Sequence, residues 1–183
     1  MTDVEAILFL VMFAVLVPLS LLLLKATGRL RVLPPRCKKD PSALFQVIEA
    51  LILHRPFTRS DVRRITGISL PGRDPGKYFI TFMSGRQAHG IILSAEVRRP
   101  TSASSKKDGM VVLAVNPRAQ ITPEAVRKRF GPRSDFLVPH PEAPFGCTYK
   151  YRQPWGDLSF RFTRRPEYLE TVVIDAIDPQ PTA

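Results

Sequence analysis

The chain has 183 residues, 27 of them Lys or Arg against 16 Asp or Glu, for a formal net charge of +11. Two cysteines, Cys37 and Cys147, are too few for a disulfide framework or a zinc site, and the sequence leaves open whether they pair. His54, His89 and His140 fall in no metal-ligand spacing, and there is no phosphate loop or dinucleotide fingerprint, so no cofactor is expected.

Residues 1–5 form a short acidic flank, with Asp3 and Glu5. From Ala6 to Leu24 run 19 residues without a charge, 14 of them Leu, Ile, Phe or Val. At ~1.5 Å per residue such a run spans about 28 Å, close to the ~30 Å hydrocarbon core of a bilayer. It is apolar all round, as a membrane span is and a one-sided core helix is not. A cleaved signal peptide would begin with a positive region and end in a small-residue cleavage site. Here the run comes after Asp3 and Glu5, and Lys25-Ala26-Thr27-Gly28-Arg29 succeeds it. The expectation is an uncut transmembrane helix over 6–24, in a single-pass protein of a bacterial inner membrane.

Residues 25–40 are a basic juxtamembrane connector holding Lys25, Arg29, Arg31, Arg36, Lys38 and Lys39. By the positive-inside rule this flank places the domain from residue 41 onward in the cytoplasm. The same cations are suited to anionic lipid headgroups. Of the total charge, residues 1–24 carry −2 and 25–40 carry +5, leaving +8 on 41–183. That balance favours acidic partners. The 143 residues from 41 onward are enough for one domain with a real core.

An extra helix is predicted over 41–55. Asp40 is its N-cap and Pro41 its first residue; Leu44, Phe45, Ile48, Leu51 and Ile52 share a face, and Pro56 stops it. An internal repeat comes next, over 58–117 and 122–179. Thr58-Arg-Ser-Asp-Val62-Arg-Arg-Ile-Thr-Gly67 parallels Thr122-Pro-Glu-Ala-Val126-Arg-Lys-Arg-Phe-Gly131. Each is a two-turn helix with a Thr N-cap and a C-terminal Gly. Three strands are predicted after each helix. In the first copy they are 78–83, 91–97 and 111–117, with a turn at Ser84-Gly85 and a loop over 98–109. In the second copy they are 149–153, 158–162 and 173–179, with a turn at Trp155-Gly156. The predicted fold class is α+β: a transmembrane helix, then a two-layer domain of tandem helix–β–β–β repeats forming one antiparallel sheet with its helices on one face.

Strand alternation assigns the faces. Tyr149, Tyr151, Leu158, Phe160 and Phe162 are assigned to the core, and Lys150, Arg152, Ser159, Arg161 and Thr163 to an open, basic face. The first copy contributes Phe79, Thr81, Met83, Ile92, Ser94 and Glu96 to that face. Phe79, Met83, Ile92, Lys150, Arg152, Trp155 and Arg161 are therefore the candidate partner-binding residues, with Trp155 as an anchor at a hairpin tip.

The motif Thr-x-x-x-Val-Arg-Lys-x-Phe-Gly-Pro, followed by Tyr-x-Tyr…Gly-x-Leu-x-Phe-x-Phe, resembles the SmpA/BamE small envelope proteins. Two copies in tandem resemble the beta-lactamase-inhibitor-protein fold. The resemblance covers residues 58–179 and implies a binding module without catalytic residues, used in envelope assembly or to inhibit an enzyme. It also implies a location outside the cytoplasmic membrane, opposite to what the flanking charge says. Cys147, His140 and Asp157 are the residue types of a nucleophilic set, but such a set needs three side chains to converge, and Cys147 adjoins strand residues expected to be packed. Nucleic acid is not an expected partner, because the aromatics of the second copy alternate away from its basic residues. Two functions are expected from these features. One is a membrane-anchored, non-enzymatic protein-binding module of the immunity or inhibitor kind, bound to an acidic surface of a partner enzyme or toxin. The other is a structural envelope protein associated with anionic membrane lipid.

Overall fold

The computed structural model describes residues 40–104, 108–138, 140, 142 and 146–176. The predicted span 6–24 and its flanking cations Lys25, Arg29, Arg31, Arg36, Lys38 and Lys39 lie outside the described residues, as does the predicted strand end at 177–179. No helix among the described residues is long and apolar enough to cross a membrane.

Helix α1 spans Pro41–Leu53 and buries Leu44, Phe45, Ile48 and Leu51, a stripe at helical spacing. Asp40 caps it by accepting from the Ser42 amide at 2.9 Å. Helices α2 (Arg59–Thr66) and α3 (Pro123–Phe130) match the predicted pattern closely. Thr58 accepts from the Asp61 amide at 3.1 Å, and Thr122 from the Ala125 amide at 3.3 Å. Gly67 and Gly131 end the two helices at φ 71° and 81°, a region that costs glycine nothing. Val62 and Val126, at matching positions of the two motifs, are both fully buried.

Eight antiparallel strands form one sheet in the order β1-β2-β3-β4-β8-β7-β6-β5. They are β1 (Gly72–Pro75), β2 (Phe79–Met83), β3 (Ile92–Pro100), β4 (Met110–Val115), β5 (Asp135–Leu137), β6 (Thr148–Gln153), β7 (Gly156–Phe162) and β8 (Leu169–Ala176). A helix followed by four strands thus occurs twice, and the two four-stranded meanders meet at the β4–β8 pair. Sequence patterning gives three strands per copy and misses the two edges. β1 reads Gly-Arg-Asp-Pro, which has no apolar alternation but suits an edge, where proline and charge discourage further pairing. β3 extends to Pro100, so Arg98 and Arg99 belong to a strand and not to the predicted loop. Ser84-Gly85 does not make a tight hairpin; an eight-residue loop, 84–91, joins β2 to β3. β8 begins at Leu169, four residues before the predicted start.

All three described α-helices contribute to one core on one face of the sheet, which includes Val97, Val111, Leu113, Leu158, Phe160, Val172 and Ile174. Each such side chain, fully buried, stabilises the fold by roughly 1.5–3 kcal/mol. Phe130 is the aromatic hinge of this layer. Its ring lies 5.5 Å from Phe45 of α1 and 5.0 Å from Phe160 of β7. Glu49 of α1 also pairs with Arg129 of α3, at 2.5 Å. α1 therefore packs beside α2 in the first half and is bonded to α3 in the second.

Candidate functional site: the open face of the sheet

No described helix covers the second face of the sheet. Register assigns its residues in rows that run across the strands. One row reads Met83, Glu96, Val112, Val173, Ser159, Lys150 and Asp135. The next reads Asp74, Thr81, Arg98, Met110, Asp175, Asp157 and Arg152. Val112 and Val173 face each other across the β4–β8 pair, flanked by Met110 and Ala114. An apolar strip thus crosses the junction of the two halves, and Met83, 42% exposed, lies beyond Glu96 in the same row.

The cations on this face are matched. Lys150 Nζ lies 2.7 Å from Asp157 Oδ2, Arg152 is 3.4 Å from Asp135, and Arg161 Nε is 3.0 Å from Glu170. Arg161 also donates to the Thr171 hydroxyl at 2.9 Å. In the first half, Arg98 pairs with Glu96 at 2.5 Å. The expectation of a basic face is corrected: Lys150, Arg152 and Arg161 are where alternation puts them, but each has a carboxylate beside it. Two of those carboxylates, Asp135 and Glu170, come from strand segments that sequence patterning does not reveal.

Two further candidates are displaced. The register shifts between Ile92 and Ser94, and this bulge sets Ile92 opposite Val115, a core residue. Ile92 consequently packs against the core, not on the open face. Trp155 does sit in the β6–β7 turn, but its ring is covered by the Arg55 guanidinium at 4.4 Å and it packs against the core. Arg55 itself donates to the Ile52 carbonyl at 2.6 Å, so the pair ties the hairpin tip to the end of α1. Phe79 and Met83 stay on the open face, opposite Pro100 and Glu96. Met110, Val112 and Val173 join them there without having been candidates. β4 is apolar on both faces, as are Val172 and Val173 of β8, and such runs carry no alternation to read.

Cys147, His140 and Asp157 are not brought together. Cys147 is a free thiol in the core, and burial raises its pKa. Asp157 is engaged by Lys150 on the opposite face, and His140 Nδ1 accepts from the Glu142 amide at 3.4 Å. Among the described residues no group of His, Cys, Asp or Glu side chains could hold a metal ion.

No family model and no curated protein matches the chain. Among solved structures, the chain is similar to a DUF4309 family protein (YjgB) from Bacillus subtilis subsp. subtilis str. 168. The two are 17% identical, and the match covers 65% of this chain and 78% of that one with a TM-score of 0.44. A likeness at that level carries no argument about function.

Proposed function

We propose that this chain is a membrane-tethered, non-enzymatic module that binds a partner protein on the open face of its sheet. One observation carries the reading: an apolar strip through Val112 and Val173, framed by ion-paired rows, on a sheet face that no described element covers. Apolar centres with polar rims are the anatomy of a protein interface. The strip crosses the seam between the halves, so a bound partner would touch both. Because the face's cations are already matched, the partner we propose contributes an apolar ridge with a mixed polar rim, in place of the strongly acidic surface expected from the net charge. The two helix-and-four-strand halves fit tandem copies of one unit. With the resemblance to inhibitor and envelope-assembly modules, they favour inhibition or assembly of a partner over catalysis. The tether is the apolar run at 6–24, in a bacterial inner membrane.

The test is capture of partners by the full chain in nonionic detergent, with Val112→Asp and Val173→Asp as the variants. Both positions are partly exposed on an open face, so the fold is expected to survive, as circular dichroism would verify. A specific partner lost from both variants supports the proposal. Retention of every partner by the folded variants refutes it.

A further inference from the structure

If the open face is electrically matched, the excess positive charge must lie elsewhere, and much of it lies on the helix layer of the first half. Arg59, Arg63 and Arg64 of α2 and Arg99 of β3 line one groove with Thr58. All four arginines are exposed. Only Arg64 has a described carboxylate partner, Asp61 at 3.4 Å. Arg59 leans over the Phe82 ring at 5.6 Å. At the amide end of α2 Thr58 caps the Asp61 amide, and the Asp61 carboxylate, which accepts from the Thr58 hydroxyl, already sets a negative charge there. The guanidinium groups, not the helix terminus, therefore make the site. Arginine forks suit phosphate oxygens.

We propose that this groove docks on the phosphate headgroups of anionic phospholipid in the membrane that anchors the chain. The inference rests on the reading of residues 6–24 as a membrane anchor. The connector 25–39 is 15 residues long. At ~3.6 Å per residue it reaches at most about 54 Å, which keeps the groove near headgroups at high effective concentration. The connector's own six basic residues draw on the same leaflet. The groove offers no exposed aromatic ring on which bases could stack, since Arg59 covers Phe82. That disfavours single-stranded nucleic acid.

The test uses the full chain reconstituted in nanodiscs of phosphatidylcholine alone or with phosphatidylglycerol added, read by hydrogen exchange of the peptide covering residues 59–66. Slower exchange is expected with phosphatidylglycerol. Basic residues near an anionic surface contribute roughly fivefold each. Arg63→Glu with Arg99→Glu should therefore weaken docking by at least about 25-fold, and ~1 M salt should abolish the effect in the wild type. Exchange in β6 and β7, away from the groove, should not change, which shows that the variant is folded. Equal exchange in the two discs overturns the proposal, as does protection that survives the double reversal. So does protection in phosphatidylcholine discs by inorganic phosphate, or by a DNA oligomer, without any from phosphatidylglycerol. Failure to incorporate into either disc overturns the anchor itself, and the proposal with it.

Discussion

Replacing Lys150 tests whether the open face is electrically matched or a reservoir of free cations. Lys150 Nζ and Asp157 Oδ2 are 2.7 Å apart, with the side chains 26% and 19% exposed. At that separation the attraction is about 1.5 kcal/mol in water and about 6 kcal/mol at an effective dielectric of ~20. Desolvation and side-chain ordering offset most of it, and cross-strand charge pairs contribute about 0.2–1 kcal/mol. The low exposure puts this pair near the top of that range. A double-mutant cycle of Lys150→Met and Asp157→Asn should therefore give a coupling of about 1 kcal/mol, smaller in ~1 M salt. Lys150→Glu should cost more than Lys150→Met, because the new carboxylate would stand directly opposite Asp135 and within reach of Asp157. The assay is urea unfolding of the full chain in nonionic detergent, monitored by Trp155 fluorescence. A coupling below about 0.3 kcal/mol, or a Lys150→Glu variant as stable as wild type, would refute the reasoning and return Lys150 to the pool of cations open to a partner.

Other outcomes follow from the packing and the helix ends. Phe160→Ala should cost about 3–5 kcal/mol, since the ring is fully buried between Phe130 and Tyr151; urea midpoints would show it. Gly67→Ala should cost only about 1 kcal/mol, a backbone effect with no atom in the way, whereas Gly146→Ala should cost more, because its Cβ would meet the Thr163 carbonyl oxygen at 2.4 Å. Asp61 is held below the usual carboxylate range by the Thr58 hydroxyl, and Glu124 by hydrogen bonds at the start of α3. Both folded pKa values lie below the unfolded ones, so the stabilisation is present above the ordinary carboxylate range and is lost as pH falls through the folded values. Tm should drop between about pH 5 and pH 3, and less steeply in Asp61→Asn. Cys147 should resist maleimide in the folded chain of a Cys37→Ser variant and react on unfolding, because burial disfavours its thiolate; rapid native labelling would contradict its placement.

The sequence is most legible where chemistry is local. Thr58 and Thr122 cap, Gly67 and Gly131 terminate, and Asp40 with Pro41 starts α1, because each signal lies within a few residues of the event it controls. Faces are legible in β6 and β7, where Tyr, Phe and Leu alternate with charge. They are illegible in β4, which is apolar on both sides and yields the middle of the candidate site. The bulge at Ile92–Ser94 is a tertiary adjustment with no glycine at the bulged positions themselves, and it removes Ile92 from the set. The pairing of Lys150, Arg152 and Arg161 depends on which strands adjoin. Strand alternation therefore puts Lys150, Arg152 and Arg161 on the open face but cannot show the carboxylates that match them.

The position of α1 has a mechanical consequence. The halves share a single strand pair, β4–β8, and α1 is the strap that joins them on the helix side, through Phe45 against Phe130 and Glu49 to Arg129. Any tension applied to the chain ahead of residue 40 would enter the described fold at Asp40, the cap of that same helix. Such a pull would load the strap before it loads the sheet. Peeling α1 would uncover Leu44, Phe45, Ile48 and Leu51 and remove the Phe45–Phe130 and Glu49–Arg129 contacts, leaving the β4–β8 ladder and the rest of the core to hold the two halves.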